Sequence, residues 1–236
     1  MKKKIALSLV VAMFFSWICC GCDDSQKKVK FGNYKGEEIS WIVLDYDDGT
    51  NLLLSEKILD VQEFDPDVLS VSRELNWRYC SLRKWLNNDF YAEAFSADEQ
   101  AKIVMSMVSI EDPDLENQGE IVQDNVFLLS IDEVSQYFSE DDQRIAKPSS
   151  YVNDKYKKDA DYYRWWLRTK CSSNYFAYVE HDGSVIKNGE RADLSIKKHG
   201  SYPGRAWCYG VRPVIRVKLD NPVEVPHKKI KISLPG

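Results

Sequence analysis

The feature that most constrains the fold is a short turn between two apolar runs. Residues 40–46 (SWIVLDY) and 51–55 (NLLLS) are rich in strand-forming side chains, and Asp-Asp-Gly-Thr separates them. Glycine adopts a positive φ at no steric cost, so an Asp-Gly pair between apolar runs is a strong hairpin signal. Asp182-Gly183 stands in the same way between the apolar segments 175–179 and 185–186. The sequence therefore predicts a β-hairpin in its first quarter and another in its last third.

Between these hairpins the spacing of apolar residues becomes helical. Apolar and aromatic residues recur mostly at helical spacing from about residue 72 to residue 107, with charges between them. Ser96 and Glu99 form the pattern of a capping box, which predicts that a second helix begins there. Its expected buried stripe consists of Ala101, Ile103, Val104, Met107 and Val108. Ser130 and Glu133 repeat the capping pattern, so the chain is predicted to belong to the α+β class.

Two long polar segments and one proline interrupt these elements. Residues 139–161 are rich in charge and contain Pro148, and we expect them to form a long surface excursion. Residues 187–209 are polar and contain glycine, which predicts a loop. Pro213 has no N–H to donate to a strand ladder, so the apolar strand 210–217 is expected to be irregular there or to lie at a sheet edge.

The first 21 residues have the composition of a secretory signal. Lysines at positions 2–4 precede an apolar run over residues 5–18, which is shorter than the roughly 20 residues that span a bilayer. Gly21-Cys22 and two aspartates follow this run. The segment resembles the lipobox of bacterial lipoproteins, whose cysteine is acylated and becomes the mature N-terminus, although Cys19 stands where that family usually has leucine. An ordinary cleaved secretion signal is the alternative.

The lipobox resemblance divides the chain and predicts its location. We expect a lipoprotein signal peptide over 1–21, a polar tether over 22–29, a single globular domain over 30–219 and a C-terminal tail over 220–236. Acyl chains such as palmitate contribute about 0.8 kcal/mol per buried CH₂, so two or more hold a protein firmly on a membrane. The expected location is therefore extracytoplasmic, with Cys22 anchored in the bacterial cell membrane. The net charge of −5 argues against a nucleic-acid partner.

Three cysteines follow the expected anchor. Disulfides persist outside the cytoplasm, and three thiols permit one such bond. Cys171 and Cys208 lie in the aromatic last third of the chain and are the preferred pair, whereas Cys80 is expected to pack as a small apolar group. No cysteine in this part of the chain has a neighbour at metal-ligand spacing and the three histidines are scattered, so neither a metal site nor a cofactor is expected.

Nine short motifs follow one another in order. They are FGNY (31–34), WIVLD (41–45), LLLS (52–55), LRKWLNNDFY (82–91), AFSADE (94–99), VFLLS (126–130), AKPSSY (146–151), WWLR (165–168) and GVRPV (210–214). In this order they resemble a bacterial family of surface and secreted proteins, the domain of unknown function 6273. That family in turn resembles the C-type-lectin-like and formylglycine-generating-enzyme folds, through the segments 166–168 and 210–212. This second resemblance implies irregular antiparallel sheets, two or three helices and long loops.

Three arginines lie inside apolar segments, where they can serve either the fold or a ligand. Arg83, Arg168 and Arg212 each have apolar neighbours in sequence. A guanidinium offers five donors that can satisfy loop carbonyls in a domain with much irregular backbone. We therefore expect a structural role for these arginines and for Trp85, with ligand binding by the arginines as the alternative.

Aromatic residues supply the candidate binding surface. In a strand that contains Trp165-Trp166 the two side chains point to opposite faces, so we expect at least one of them to be exposed. Aromatic rings beside polar groups suit stacking on a sugar ring or docking of a protein loop. The candidate ligand-binding residues are Trp166, Tyr202, Arg205, Trp207 and Tyr209.

No catalytic residue is predicted. The sequence contains neither a G-x-S-x-G elbow nor a phosphate-binding glycine loop. The pair of copper-binding cysteines of the formylglycine-generating enzyme has no counterpart, because Cys208 stands alone in the corresponding stretch. The sequence thus predicts a non-catalytic, lipid-anchored domain that binds a glycan or a surface protein. The alternatives are a divergent enzyme of the formylglycine-generating-enzyme fold and a structural envelope protein.

Overall fold

The computed structural model describes residues 26–66, 75–112, 120–156, 164–192 and 209–226. Its strands are β1 (Lys28–Tyr34), β2 (Glu37–Asp47), β3 (Thr50–Ser55), β4 (Asp60–Val61), β5 (Ser106–Ser109), β6 (Ile121–Asp124), β7 (Val126–Phe127), β8 (Arg164–Ser172), β9 (Tyr175–Val179), β10 (Val185–Arg191), β11 (Tyr209–Val211) and β12 (Val214–Val217). Its α-helices are α1 (Ser81–Trp85), α2 (Tyr91–Ala94), α3 (Ala97–Gln100), α4 (Ile131–Tyr137) and α5 (Ser150–Tyr156). A π-helical turn (Leu86–Phe90) joins α1 to α2, and a 3₁₀ turn (Asp142–Arg144) precedes α5. The α+β class is confirmed.

The first sheet is antiparallel and has the strand order β1-β2-β3-β12-β7. Asp47 pairs with Thr50 across the turn that joins β2 to β3. Asp48 and Gly49 have φ angles of 46° and 73°. Positive φ at both central residues is what a two-residue type I′ turn requires, and Asp-Gly adopts it at low cost. The first hairpin prediction is confirmed.

The second sheet has the order β10-β9-β8-β11-β4 and is antiparallel except that β8 and β11 run parallel. The predicted hairpin at Asp182-Gly183 joins β9 to β10 and is also confirmed. Gly183 has a φ of 87°, and a Cβ added there would lie 1.8 Å from the carbonyl oxygen of Asp141. Only glycine satisfies both the backbone conformation and this close approach. β5 and β6 form a separate two-stranded ribbon.

The chain passes directly from the second sheet to the first between β11 and β12. β11 belongs to the second sheet and β12 to the first, with Arg212 and Pro213 between them. The carbonyl oxygen of Pro213 accepts a hydrogen bond from the backbone N–H of Ser55 at 2.9 Å. The irregularity predicted at Pro213 is confirmed: it marks a place where the chain passes from one sheet to the other, and no ladder needs an N–H there.

Both predicted capping boxes are present. The Ser96 side chain accepts from the backbone N–H of Glu99 at the start of α3, and Ser130 and Glu133 do the same at the start of α4. In each case the glutamate side chain also accepts from the N–H of the serine. The caps satisfy backbone donors that the first helical turn leaves free.

The predicted extent of the helix after Ser96 is wrong, because α3 ends at Gln100 and strand β5 begins at Ser106. Along β5 the side chains alternate, with Val108 buried and Met107 exposed. Helical and two-residue periodicity are hard to separate in a short apolar segment. Pairing of β5 with β6 decides the conformation, and Met107 consequently lies on the surface instead of in a helical stripe.

The prediction that residues 139–161 form a surface excursion is right only in part for the described residues 139–156, where exposed and buried side chains alternate. Arg144, Ser149 and Val152 are buried, and Pro148 forms a bridge with Ile58. These contacts hold the 3₁₀ turn and α5 against the sheets. The apolar and hydrogen-bonded side chains between the charged residues of this segment make the contacts. Residues 157–163 lie outside the described part. The loop predicted over 187–209 begins later, since β10 extends to Arg191, and 193–208 lie outside the described residues.

One hydrophobic core holds the described elements together. It contains buried side chains from both five-stranded sheets, from the ribbon and from the helices. Gly32, with a φ of 75°, brings β1 against α2, and its N–H donates to Glu99 at 2.9 Å. Among the described residues, no helix has the length and apolar character needed to cross a membrane.

Candidate functional site

The expected exposure of the Trp165-Trp166 strand is wrong, because both indole rings are fully buried. The Trp166 ring stacks on Tyr209 with a centroid distance of 4.2 Å and donates from Nε1 to Gln62 O at 3.0 Å. Trp165 donates to the carbonyl of Arg144 at 3.1 Å. β8 is an inner strand that is covered on both faces at these positions, so alternation along the strand exposes neither tryptophan.

The described residues of the candidate aromatic binding surface thus do not form an exposed surface. Tyr209 is buried beside Trp166 and offers no exposed face. Its other candidate residues, Tyr202, Arg205 and Trp207, lie outside the described residues. Ligand binding through those three side chains stays a prediction.

The described cysteines are Cys80 and Cys171, and both are free thiols. The expected partner of Cys171, Cys208, lies outside the described residues, as does the expected anchor Cys22. Burial raises the pKa of the Cys80 thiol to about 12 and that of Cys171 to about 11. Both thiols are therefore protonated at neutral pH, which makes them poor nucleophiles and metal ligands.

Arg83 and Arg168 pair with carboxylates inside the domain. Arg83 donates to Asp124 at 2.7 Å, and Asp124 also accepts from the Trp77 indole at 2.9 Å. Arg168 contacts both carboxylate oxygens of Glu133 and donates to the carbonyl of Leu128 at 2.7 Å. Burial alone would lower the pKa of Arg168, but Glu133 outweighs it and the pKa is raised. These donors are engaged within the fold.

Arg212, at the crossing between the sheets, is held differently. It donates to the carbonyls of Ser55 and Arg144, both at 3.1 Å, and its guanidinium lies 4.7 Å from the centre of the Trp165 ring. Burial lowers its pKa. Trp85 is half-buried and packs against Phe90 at 5.6 Å between ring centres.

The described surface has a pocket along the hairpin of β1 and β2. We call it the hairpin pocket, and its volume is about 70 Å³. Its lining residues are Lys30, Tyr34, Glu37, Glu38, Ile39, Ser40, Glu56, Lys57, Leu59 and Ser149. The turn itself is Lys35-Gly36, with φ angles of 54° and 83°. Strands β1 and β2, the segment after β3 and the start of α5 therefore meet here.

Acids and lysines are interleaved around the hairpin pocket. Glu37 pairs with Lys57 and accepts from the Ser150 N–H at 3.1 Å, while Glu56 pairs with Lys28 at 2.6 Å. Burial alone would raise the pKa of Glu37, but Lys57 and Ser150 outweigh it, so the pKa lies below its ordinary value of 4.5. The pocket therefore presents ionised acceptors and cationic donors side by side at neutral pH.

Next to the hairpin pocket lies a group of rings and ammonium groups. We call it the tyrosine–lysine cluster, and its members are Tyr34, Lys35, Tyr151, Lys155 and Tyr156. Lys35 lies 5.7 Å and Lys155 5.0 Å from the centre of the Tyr151 ring, within cation–π range. Lys155 also donates to the Tyr151 hydroxyl at 2.7 Å.

A buried carboxylate supports this cluster from below. Asp60 accepts a 2.6 Å hydrogen bond from the Tyr34 hydroxyl and a 2.7 Å bond from the Val61 N–H, and Lys155 lies 3.6 Å away. Burial, with Asp60, raises the pKa of Tyr34, which stays a donor. Burial would lower the pKa of Lys155, but Tyr151 and Asp60 outweigh it and keep the lysine charged.

The side chains of the hairpin pocket and the tyrosine–lysine cluster can bind a ligand through hydrogen bonds. Ser149 Oγ accepts from the Val152 N–H at 3.3 Å as the cap of α5, so this hydroxyl is engaged by the backbone. In the described part of the chain, no three His, Cys, Asp or Glu side chains are grouped to hold a metal ion. Sequence reasoning missed the hairpin pocket. Two of the quoted motifs, FGNY and AKPSSY, border it, but nothing in either motif indicates that they meet.

A family model described as Domain of unknown function (DUF6273) matches residues 48–219. The chain belongs to the DUF6273 family. This finding confirms the family resemblance drawn from the nine motifs. No curated protein and no solved structure matches this DUF6273 chain.

The hairpin pocket spans the start of the DUF6273 match. Tyr34 and Glu37 precede the matched residues, whereas Lys57 and Ser149 lie within them. β1 and all of β2 precede the matched segment and add the strands that complete one wall of the pocket.

Proposed function

We propose that this protein is a bacterial extracytoplasmic lipoprotein, acylated at Cys22, whose domain binds a polar ligand at the hairpin pocket without transforming it. The cationic start, the apolar run and Gly21-Cys22 support the anchor. Three residues separate Cys22 from Gln26, where the described structure begins. The domain is then held close to the membrane surface.

The observation that carries this proposal is the position of the pocket relative to the anchor. β1 begins at Lys28, next to the tether, and ends at Tyr34, in the hairpin pocket. Six residue steps at about 3.3 Å each would separate the two ends by at most about 20 Å, because β1 is irregular between Lys30 and Asn33. The part of the hairpin pocket at Tyr34 and Glu37 is therefore the part farther from an anchor at Cys22, and the pocket extends from there back along β1 to Lys30.

The chemistry of the lining favours a glycan or a protein loop as the ligand. Carboxylates accept hydrogen bonds from hydroxyls and amides, and lysines donate to hydroxyl and carbonyl oxygens. The pocket volume of about 70 Å³ is well below the roughly 300 Å³ at which small-molecule sites begin. The pocket thus accommodates one ring edge or one side chain of a larger partner, and the adjacent Tyr151 extends the contact surface.

The same proposal includes a distant relation to the C-type-lectin-like and formylglycine-generating-enzyme folds. Support comes from two irregular sheets, short helices and the segment 210–212 at the crossing between the sheets. The proposed ligand binding at the hairpin pocket does not depend on this relation, because it is argued from the contacts of the described residues alone.

Binding is tested with the mature chain on arrays of glycans and peptidoglycan fragments and against surface-protein fragments. For a ligand found in this way, Lys57→Met and Tyr151→Ala are expected to weaken binding at least tenfold, about 1.4 kcal/mol. Tyr175→Ala is the matched control, because Tyr175 is an exposed tyrosine of β9 outside the pocket. The proposal is wrong if both pocket variants bind as tightly as the unaltered protein. A change in the mass of the bound ligand would instead favour a divergent enzyme.

A further inference from the structure

We propose that an exposed apolar surface near the tether rests in the lipid headgroup region when the protein is anchored. We call this surface the methionine patch, and its residues are Val104, Met105, Met107 and Ile121. The inference rests on the proposed anchor at Cys22. It goes beyond that anchor because it assigns the face of the domain that meets the membrane.

The methionine patch is apolar and exposed. Met107 is 64% and Met105 54% exposed, and side chains two residues apart in an extended segment point to the same side. Met107 pairs with Gln123 and Ser109 with Ile121, which makes Met107 and Ile121 diagonal neighbours on the outer face of the β5-β6 ribbon. Exposed apolar side chains gathered in one place mark interaction surfaces more often than scattered ones do.

The register of the first sheet places the patch at the end from which the tether leaves. Val104 donates to the carbonyl of Arg216 at 2.7 Å, and Arg216 pairs with Leu52. Lys28, at the start of β1, pairs with Ile42, and Ile42 pairs with Leu54 on the next strand. Lys28 and Leu54 therefore lie at the same position along the strand direction. Val104 therefore lies two residue steps, about 7 Å, beyond the start of β1 toward the β2–β3 turn.

The length of the tether brings this end to the bilayer. Six residue steps from Cys22 to Lys28 span at most about 20 Å, even when fully extended. A domain held within this distance by acyl chains meets the headgroup region with the end that carries the patch. The β1–β2 turn at Lys35-Gly36, at the far end of β1, stays in solution.

The side chains of the patch suit insertion more than electrostatic attraction. Methionine is flexible and polarizable and adapts to irregular apolar surroundings. The nearby Lys102 lies 2.6 Å from Asp220, whose charge offsets its attraction to anionic lipid headgroups. The contact is therefore expected to persist at high salt.

The protein has four methionines, and those at positions 1 and 13 belong to the leader. Met105 and Met107 are therefore the methionines of the mature chain, and their oxidation reports on the methionine patch. The acylated protein is reconstituted in phosphatidylcholine–phosphatidylglycerol vesicles, and its intact mass is measured to establish acylation. Brief hydrogen peroxide treatment then converts Met105 and Met107 to sulfoxides. We expect their oxidation to be at least threefold slower than in the same mature chain made without a leader, and hence without acyl chains, mixed with the same vesicles.

A methionine at the opposite end of the domain is the matched control. Asn153→Met places one on the exposed side of α5, near the hairpin pocket, where oxidation is expected to proceed equally in both forms. Equal oxidation of Met105 and Met107 in acylated and unacylated protein would overturn the inference alone. Protection of the reporter at position 153 as well would show general shielding and overturn it too. A mass without acyl chains would instead overturn the proposed anchor, and the inference with it.

Discussion

The buried charges between the sheets and the exposed charges of the hairpin pocket belong to the same residue types but have different energetics. Arg168 and Arg212 are 2% and 1% exposed, whereas the side chains of Lys57 and Glu37 are 39% and 33% exposed. An uncompensated buried charge costs about 3–5 kcal/mol, and an exposed ion pair contributes about 0–1 kcal/mol. Interior charges are therefore committed to the fold, while those of the pocket can exchange partners with a ligand.

The two interior arginines extend this comparison. Arg168 is neutralised by Glu133, which raises its pKa, while burial lowers the pKa of Arg212, which is held by backbone carbonyls and the face of Trp165. Removing one partner of an ion pair leaves a charge behind. Removing a cation from carbonyls leaves only neutral acceptors.

The largest effect is expected at Arg168. Arg168→Met should lower the free energy of unfolding by about 3 kcal/mol, the lower end of the range for broken buried pairs, because Glu133 is partly exposed. Urea unfolding followed by tryptophan fluorescence measures this loss. Adding Glu133→Gln to the variant should restore part of it, since the charge of Glu133 is then also removed while its side chain can still accept from the Ser130 N–H. No recovery in the double variant would contradict the assignment of the loss to Glu133.

A smaller loss is expected at Arg212. Arg212→Met leaves the carbonyls of Ser55 and Arg144 without these donors, which costs about 1–3 kcal/mol in urea unfolding. Arg212→Lys is the control for charge: one ammonium cannot reproduce both guanidinium bonds, so it should recover less than half of the difference. A loss larger than that of Arg168→Met would break the comparison between the two arginines.

The smallest effect is expected in the pocket. Because the pKa of Glu37 is lowered in the folded protein, its ionised form adds stability above pH 4.5, and this contribution disappears as pH falls through the lowered pKa. Lys57→Met should therefore cost at most about 0.5 kcal/mol at pH 7 and nothing measurable at pH 3. Unfolding curves at both pH values test this, with Lys84→Met, an exposed lysine of α1, as the control. A loss above about 2 kcal/mol would show that the charges of the pocket stabilise the fold as much as the buried charges do.

Features decided by a few neighbouring residues could be predicted from the sequence. The turns at Gly49 and Gly183 depend on which residues accept positive φ, and the caps at Ser96 and Ser130 depend on a side chain three residues from its partner. Each of these is complete within about four residues. No knowledge of the tertiary structure is needed to recognise them.

Features decided by packing could not be predicted in this way. The strand at Met107 depends on pairing with β6, and the burial of Trp166 depends on Tyr209 and Phe64, which are distant in sequence. The candidate site was missed for the same reason. Tyr34 and Tyr151 come together over Asp60, and none of the three lies in a motif that indicates binding.

The crossing at Arg212 and Pro213 has a consequence for the order of assembly. β11 lies between β8 and β4, and β12 lies between β3 and β7, so two inner strands are supplied by residues 209–217. A polypeptide that emerges N-terminus first therefore cannot close either sheet until this late stretch arrives. Such long-range pairing slows folding, and the domain is expected to acquire its native structure in one cooperative step near the completion of the chain.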